Sequence, residues 1–418
     1  MGLNVGFIST RFSGLDGVSL ESAKWAQVLW DHECVSYWFA GKLDRDKDVS
    51  MLASEAAFDH PLILKINDAV FGKRTRSYET TKLIHEVRSR LKKRLMKFIE
   101  KFSIDIIIAD NCLAIPMNIP LGLALTEVIA ETGIPTIAHH HDFYWERSRF
   151  LLNAVGDYID MAFPADLPNI QHATINGPAQ QELAFRKGIP SHLIPNVLDF
   201  ESPLPPEDDY MKDIRPNLGI GPDDLMILQS TRVVPRKGIE HTIELVRRLN
   251  DPRYKLVISH EAGDEGTDYW EWLKKLAETQ GIDIIFFSHR VRRKRSVVNG
   301  VKNYTLSDIY RQADLITFPS LYEGFGNAFI EGIYFYKPIL INRYSVYVTD
   351  IEPKGFKVLT MDQHLTDETV RQVREILDNP QARNEMVHHN FEIAKRYYSF
   401  TVLRRHLRYF IENFFGVL

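Results

Sequence analysis

Short, uninterrupted apolar runs alternate along the chain with longer segments whose apolar positions recur every three to four residues. NVGFIS (4–9), IDIIIAD (104–110) and PTIAHHH (135–141) are predicted as buried strands, with two shorter ones in HATINGP (172–178) and SHLIPN (191–196). The loop TRFSGLDGVS precedes LESAKWAQVLW (20–30), which has helical spacing. The segment 201–224, ESPLPPEDDYMKDIRPNLGIGPDD, breaks the pattern and reads as a linker with a short helical piece. Alternation then restarts. LMILQST (225–231), YKLVISH (254–260), IDIIFFS (282–288), DLITFPS (314–320) and KPILIN (337–342) are predicted strands. GIEHTIELVRRL (238–249) and YWEWLKKLAETQG (269–281) are predicted helices. Strands alternating with helices predict an α/β chain of two similar units, each a parallel sheet with helices on both faces. Ligands of such sheets bind beyond the carboxyl ends of the strands, and a cleft between two units is a preferred site.

Two amphipathic segments need burial partners. The tail YSFTVLRRHLRYFIENFFGVL carries Val402, Leu403, Leu407, Phe410, Ile411 and Phe414 on one stripe, for which the N-terminal unit is a natural cover. VRSRLKKRLMKFIEKF (87–102) is basic, and its stripe suits packing on a sheet better than a membrane surface. Peripheral membrane contact is therefore not favoured.

Composition narrows the function classes. The 418 residues are 44% hydrophobic and 25% charged, an ordinary globular balance. A net charge of -4 gives no footprint for nucleic acid. Two cysteines make neither a disulfide framework nor a CxxC metal site. The N-terminus has no signal-peptide pattern and no run reaches membrane-span length, so a cytoplasmic location is expected.

Four constellations carry candidate chemistry. In STRVVPRKGIE (230–240), Arg232 and Lys237 follow a strand and precede a helix, an arrangement suited to a diphosphate; it could equally be a solvated loop. Gly14 and Gly17 lie between the first strand and first helix, where glycine allows close backbone approach to a ligand. Their GxxG spacing is not the GxGxxG of dinucleotide enzymes, and the plain alternative is a tight turn with Ser19 as the N-cap. In IAHHHDFYWERSRF (137–150), adjacent histidines of an extended segment point to opposite faces, which argues against a shared metal ion. The expectation is instead that Asp142 orients a histidine toward a substrate hydroxyl. Finally, FPSLYEGFGNAFIEG (318–332) places Glu323 in a loop and Glu331 in a helix starting near Gly326 or Asn327. The amides of Gly326, Asn327 and Ala328 would face an anion, and the two carboxylates could each grip a sugar diol. A weaker feature is RVRRKR (290–295), which as a charge run reads as a solvated loop or an anion contact.

Together these segments resemble the retaining glycosyltransferases of family 4 (glycosyl transferase group 1), of GT-B fold. Glu323 and Glu331 match that family's E-x7-E motif, STRVVPRKG its Arg…Lys-Gly clamp, and His141-Asp142 its His-Asp at a strand end. IPNVLDF (194–200) resembles its linker entry, with Val197 where glycine is usual. The resemblance implies two Rossmann-like domains facing across a cleft, residues 1–198 with a returning helix near 399–418, and residues 199–398. The first would take the acceptor and the second a UDP- or GDP-hexose donor carrying glucose or mannose. Arg232 and Lys237 would neutralise the leaving diphosphate. Glu323 would hold the transferred sugar, Glu331 the ribose, and His141 the sugar near its C6 hydroxyl. Gly14, Gly17, Arg290, Gly324, Phe325, Gly326, Asn327 and Ala328 would complete the donor site. Front-face transfer with retention is expected, with no cofactor and no metal. The extra residues His139, His140, Trp145, Glu146 and Arg147 suggest a small polar acceptor, such as a sugar, a glycerate or an osmolyte precursor, which His140, Asp142, Trp145 and Arg147 would contact. YKLVISHEAGDEG departs from the family where relatives carry a glycine-rich turn. A lipid or cell-envelope acceptor, a glycoside hydrolase, a non-catalytic binding module and a dehydrogenase are the competing classes; a hydrolase would not need Arg232 and Lys237.

Overall fold

The computed structural model describes residues 2–14, 16–204, 206–260 and 266–416. The apolar runs become strands because both their faces are covered. β1 (Asn4–Ile8), β2 (Val35–Ala40), β3 (Ser50–Leu52), β4 (Ile106–Asp110), β5 (Thr136–His140), β6 (Ile170–Thr174) and β7 (Ser191–Leu193) form one sheet. Its order is β3-β2-β1-β4-β5-β6-β7, and every pairing is parallel. β4 and β5 are buried at every residue, as a doubly covered parallel sheet requires. The strand order reverses between β1 and β4, which marks the ligand edge of such sheets.

A second parallel sheet contains β8 (Leu225–Gln229), β9 (Tyr254–Ile258) and β10 (Ile284–Phe286). A separate antiparallel hairpin joins β11 (Ser296–Val298) to β12 (Val301–Asn303). β13 (Leu315–Phe318), β14 (Ile339–Asn342) and β15 (Leu359–Met361) complete the second sheet, whose order is β10-β9-β8-β13-β14-β15. Here the reversal lies between β8 and β13. The chain divides into two units, Met1–Val197 with Phe400–Leu418, and Leu198–Ser399.

In the first unit, the helix Tyr78–Phe102 buries Val87, Leu91, Leu95, Phe98 and Phe102, so its basic face is left outward and its stripe lies on the core. The tail helix Phe400–Phe415 buries Leu403, Leu407, Phe410 and Ile411 in a cluster with Trp25, Val28 and Leu29 of the helix Gly17–Trp30. Its stripe thus finds its cover in the N-terminal unit. Among the described residues, no helix is long and apolar enough to cross a membrane.

Several elements depart from the sequence reading. VSYWFA forms β2, for which the pattern gave no expectation. HATINGP stops being a strand at Thr174, because Asn176 caps the helix Gly177–Lys187 by accepting from the Ala179 amide at 2.7 Å. The run after RVRRKR, for which the pattern gave no expectation, is a hairpin. Its turn residues Asn299 and Gly300 both have positive φ (51° and 77°), the requirement of a tight two-residue turn. The stretch in which a glycine-rich turn would be usual includes 261–265, which lie outside the described residues.

Candidate functional site

In the second unit the site is built on the adjacent exits of β8 and β13. After β8, the chain makes a single tight turn at Pro235–Lys237, and Gly238 then opens the helix Ile239–Leu249. Gly238 has φ +59°, and a Cβ there would lie 2.6 Å from the Pro319 carbonyl oxygen just past β13. Only glycine lets the two loops come this close. The Leu321 amide donates to the Arg236 carbonyl at 2.8 Å and locks them together.

That contact delivers Lys237 to Glu323. The ammonium donates to Glu323 Oε1, and Arg236 Nη1 lies 3.3 Å from Oε2. Lys237 is buried, which lowers its pKa; the Glu323 charge opposes this, and Arg236 and Arg232 add to it. Arg232 is exposed but close enough for its charge to be felt. Two cations therefore bond one carboxylate and the charge of a third reaches Lys237, a net positive set suited to a diphosphate. Arg236 was not singled out in the sequence, because an arginine in a βα loop has no signature until the loop's partner is known.

The glycine of the motif's middle is fixed by space. Gly326 has φ +111°, and a Cβ would meet the Tyr344 hydroxyl at 2.4 Å. It caps the helix Asn327–Tyr334, whose N-terminus adds a positive field at the end of the loop carrying Glu323. Glu331 sits one turn in. Its Oε2 accepts from Tyr310 Oη at 2.9 Å, and Tyr310 is also bonded to Ser230 at 2.7 Å. Burial, then the Glu331 charge, pushes the Tyr310 phenol well up, so it stays a donor. Beneath the exits, Gln229 binds Thr231, Thr242 and Thr317 at 2.7–3.0 Å and ties β8, β13 and the helix together.

Two expected donor contacts are placed differently. Phe325 is buried against Tyr398, and its carbonyl accepts from Tyr344 Oη at 2.6 Å, so its side chain packs and does not present a binding surface. Arg290 donates to the Lys302 carbonyl at 2.8 Å and lies over Phe287 and Tyr304, holding the hairpin. Gly324 and Ala328 lie in the same loop and helix start as expected from the motif.

In the first unit, the ends of β4 and β5 form a buried polar cluster. Parallel register sets Asp110 beside His139. Asp110 Oδ1 accepts from His141 Nε2 at 3.1 Å and lies 3.2 Å from His139 Nδ1, while Oδ2 accepts from the Ser22 hydroxyl. Burial would raise the Asp110 pKa, but the two histidines win and hold it well below the carboxylate range. Asp110 therefore orients His141. Asp142, expected in that role, instead accepts from Arg147 and from Asn111 Nδ2 at 2.9 Å. His139 and His141, two apart, share a face of the extended chain, so the alternation argument separates neighbours only. One ligand atom each from Asp110, His139 and His141 lie within 4.8 Å, a spacing that could admit an ion.

Other candidates turn away. His140 points to the opposite face, buried, with Nε2 2.9 Å from His172 Nδ1 and its ring against Phe143. Trp145 stacks on Phe143 at 4.4 Å and packs on a small core with Leu183, so its ring is committed to folding. Arg147 is spent on Asp142. Glu146 accepts from the Phe143 amide at 2.8 Å. At the N-terminal loop the cap is Asp16, not Ser19: Asp16 accepts from the Ser19 amide at 3.2 Å and from its hydroxyl at 2.6 Å. Gly14 has φ +79° and donates to Asp44, and Gly17 is the first helical residue.

Comparison with known proteins agrees with this architecture. The family model of glycosyl transferases group 1 matches residues 211–392. Mannosylglucosylglycerate synthase of Thermotoga maritima is 30% identical over 95% of this chain and 97% of its own. The synthase of the same name from Petrotoga mobilis is 32% identical over 86% of each chain. A crystal structure of a glycosyltransferase from Rickettsia africae superposes with a TM-score of 0.72 at 12% identity, covering 99% of this chain and 98% of that one. The two parallel α/β sheets are those of the GT-B fold. The chain belongs to the group 1 glycosyltransferases.

Proposed function

We propose that this enzyme transfers a mannosyl group from a nucleoside-diphosphate donor, UDP- or GDP-linked, to a hydroxyl of a small glucosylglycerate-type acceptor, with retention and without a metal. The observation that carries the reading is the near-full-length match to synthases whose name states that product. The geometry supports the donor half. Lys237, Arg236 and Arg232 around Glu323 would take a diphosphate, and stabilising its growing charge is a large catalytic contribution. Glu323, with lone pairs beyond those used by Lys237 and Arg236, would accept from the sugar hydroxyls. Glu331, held by Tyr310, would accept from the ribose diol. As the C1–phosphate bond breaks, the acceptor oxygen bonds C1 on the same face, and its proton passes to the leaving phosphate oxygen.

The test is incubation of purified protein with GDP-mannose, UDP-mannose, GDP-glucose or UDP-glucose and with glucosylglycerate, glycerate or lipid-linked acceptors. Expected is one new product with mannose added to glucosylglycerate and an α linkage by NMR. Transfer only to lipid-linked acceptors would overturn the acceptor assignment, and an inverted linkage would overturn retention.

A further inference from the structure

The carboxylate that His141 meets lies on a different strand from the one expected, and it is entirely enclosed. Asp110 is at 0% exposure at the end of β4. Its Oδ1 takes His141 Nε2 and its Oδ2 takes Ser22 of the helix Gly17–Trp30. Its backbone carbonyl accepts from the Ser9 hydroxyl at 2.8 Å. Apart from the histidine, Ser22 thus holds the carboxylate and Ser9 the backbone of the same residue. Asn111 repeats the arrangement on the backbone, accepting from the His141 amide at 3.0 Å while donating to Asp142.

We propose that Asp110 is a positioning residue for the transfer: it holds His141 by Nε2, fixing the ring so that Nδ1 is the nitrogen left to meet a substrate hydroxyl. This rests on the reading of the chain as a glycosyltransferase in which His141 meets the sugar. Among the described residues, no protein group hydrogen-bonds Nδ1. The His141 side chain retains 11% exposure, whereas His139 beside it is closed at 1% and covered by the Trp25 ring at 4.2 Å. Only one of the two histidines on Asp110 can therefore reach a ligand.

The charge arrangement agrees. The groups facing His141 are Asp110 from β4, His139 from β5, Glu21 from the helix Gly17–Trp30 and Asp142 from the loop after β5. Burial lowers the His141 pKa, but the hydrogen bond and charge of Asp110, with Glu21 and Asp142, outweigh it and the pKa is raised. His139 is lowered by burial and by His141.

The experiment compares wild type with Asp110→Asn, which keeps an acceptor oxygen and removes the charge, and with Ser22→Ala, which only frees the second oxygen. The readouts are kcat and KM for donor, and the His141 imidazole ¹H–¹⁵N signals followed with pH. Expected for Asp110→Asn is a kcat loss of roughly 10- to 100-fold with a nearly unchanged KM, by analogy with the loss of a carboxylate that orients a metal-bound histidine. The His141 titration should move to lower pH. Ser22→Ala should shift both readouts the same way, by less, and serves if Asp110→Asn does not fold. Unchanged kcat in folded variants would overturn the role in transfer, and an unchanged His141 titration would overturn the coupling. If wild type transfers nothing from any nucleotide sugar, the function reading fails instead, and the imidazole signals alone judge whether Asp110 governs His141.

Discussion

Replacing Glu323 by glutamine strips the negative partner from a lysine that has nowhere else to discharge. Lys237 and Glu323 side chains are 9% and 10% exposed, so this is a buried pair, not a surface one. Arg236 and Arg232 already disfavour the Lys237 charge, and in Glu323→Gln all three cations would repel with nothing between them. Removing one partner of a buried pair costs about 3–5 kcal/mol, and a site at the mouth of a loop belongs near the lower end. For a unit of this size, ~3 kcal/mol is a loss of about 6–12 °C in Tm. Calorimetry of the purified variant reads it directly. The double variant Lys237→Met/Glu323→Gln should regain much of the loss, because the buried ammonium goes with its partner and only the part-exposed Arg236 is left without Glu323. Added nucleoside diphosphate should stabilise Glu323→Gln more than the double variant, since the anion supplies the missing charge. A single variant melting within about 2 °C of wild type would refute the reasoning, because it would mean a loss below roughly 1 kcal/mol. So would a double variant whose loss equals the sum of the two single losses.

Tyr310→Phe removes one hydrogen bond from Glu331 and should raise KM for donor about 5-fold, the equivalent of roughly 1 kcal/mol, while Glu331→Ala raises it further; steady-state kinetics distinguish the two. Gly326→Ala puts a Cβ into the Tyr344 hydroxyl at a φ of +111° and should abolish the Tm rise that nucleotide sugar gives wild type. Burial lowers the His172 pKa to about 4, whereas the unfolded chain titrates near ~6.5. Below about pH 6.5 the unfolded chain therefore binds more protons, so stability falls as pH falls, by about 3 kcal/mol at most by pH 4; urea melts should show a shallower slope for His172→Gln. Dialysis against a chelator is expected to leave kcat unchanged, and a loss restored by a divalent ion would refute the metal-free transfer proposed here.

What the sequence by itself determined is local. Apolar runs set β1, β4, β5, β8, β13 and β14, because a doubly covered parallel strand must be apolar throughout. The tail's stripe required a cover. The spacing of Glu323 and Glu331 divided them between loop and helix, since the glycine between them ends one element and opens the next. The hairpin after the charge run was not read from the sequence; its strands are three residues each and pair only with each other. What only the tertiary structure decided is which strand ends are neighbours. Asp110 precedes His141 by 31 residues and meets it because β4 pairs with β5; Arg236 and Lys237 meet Glu323 because β8 lies beside β13. Strand alternation separates His140 from His141 but cannot say which face is closed; the packing of Phe143 and His172 closes the His140 side. A parallel strand's neighbour is chosen by a crossover of dozens of residues and by the burial of two helical layers, and no local pattern encodes that choice.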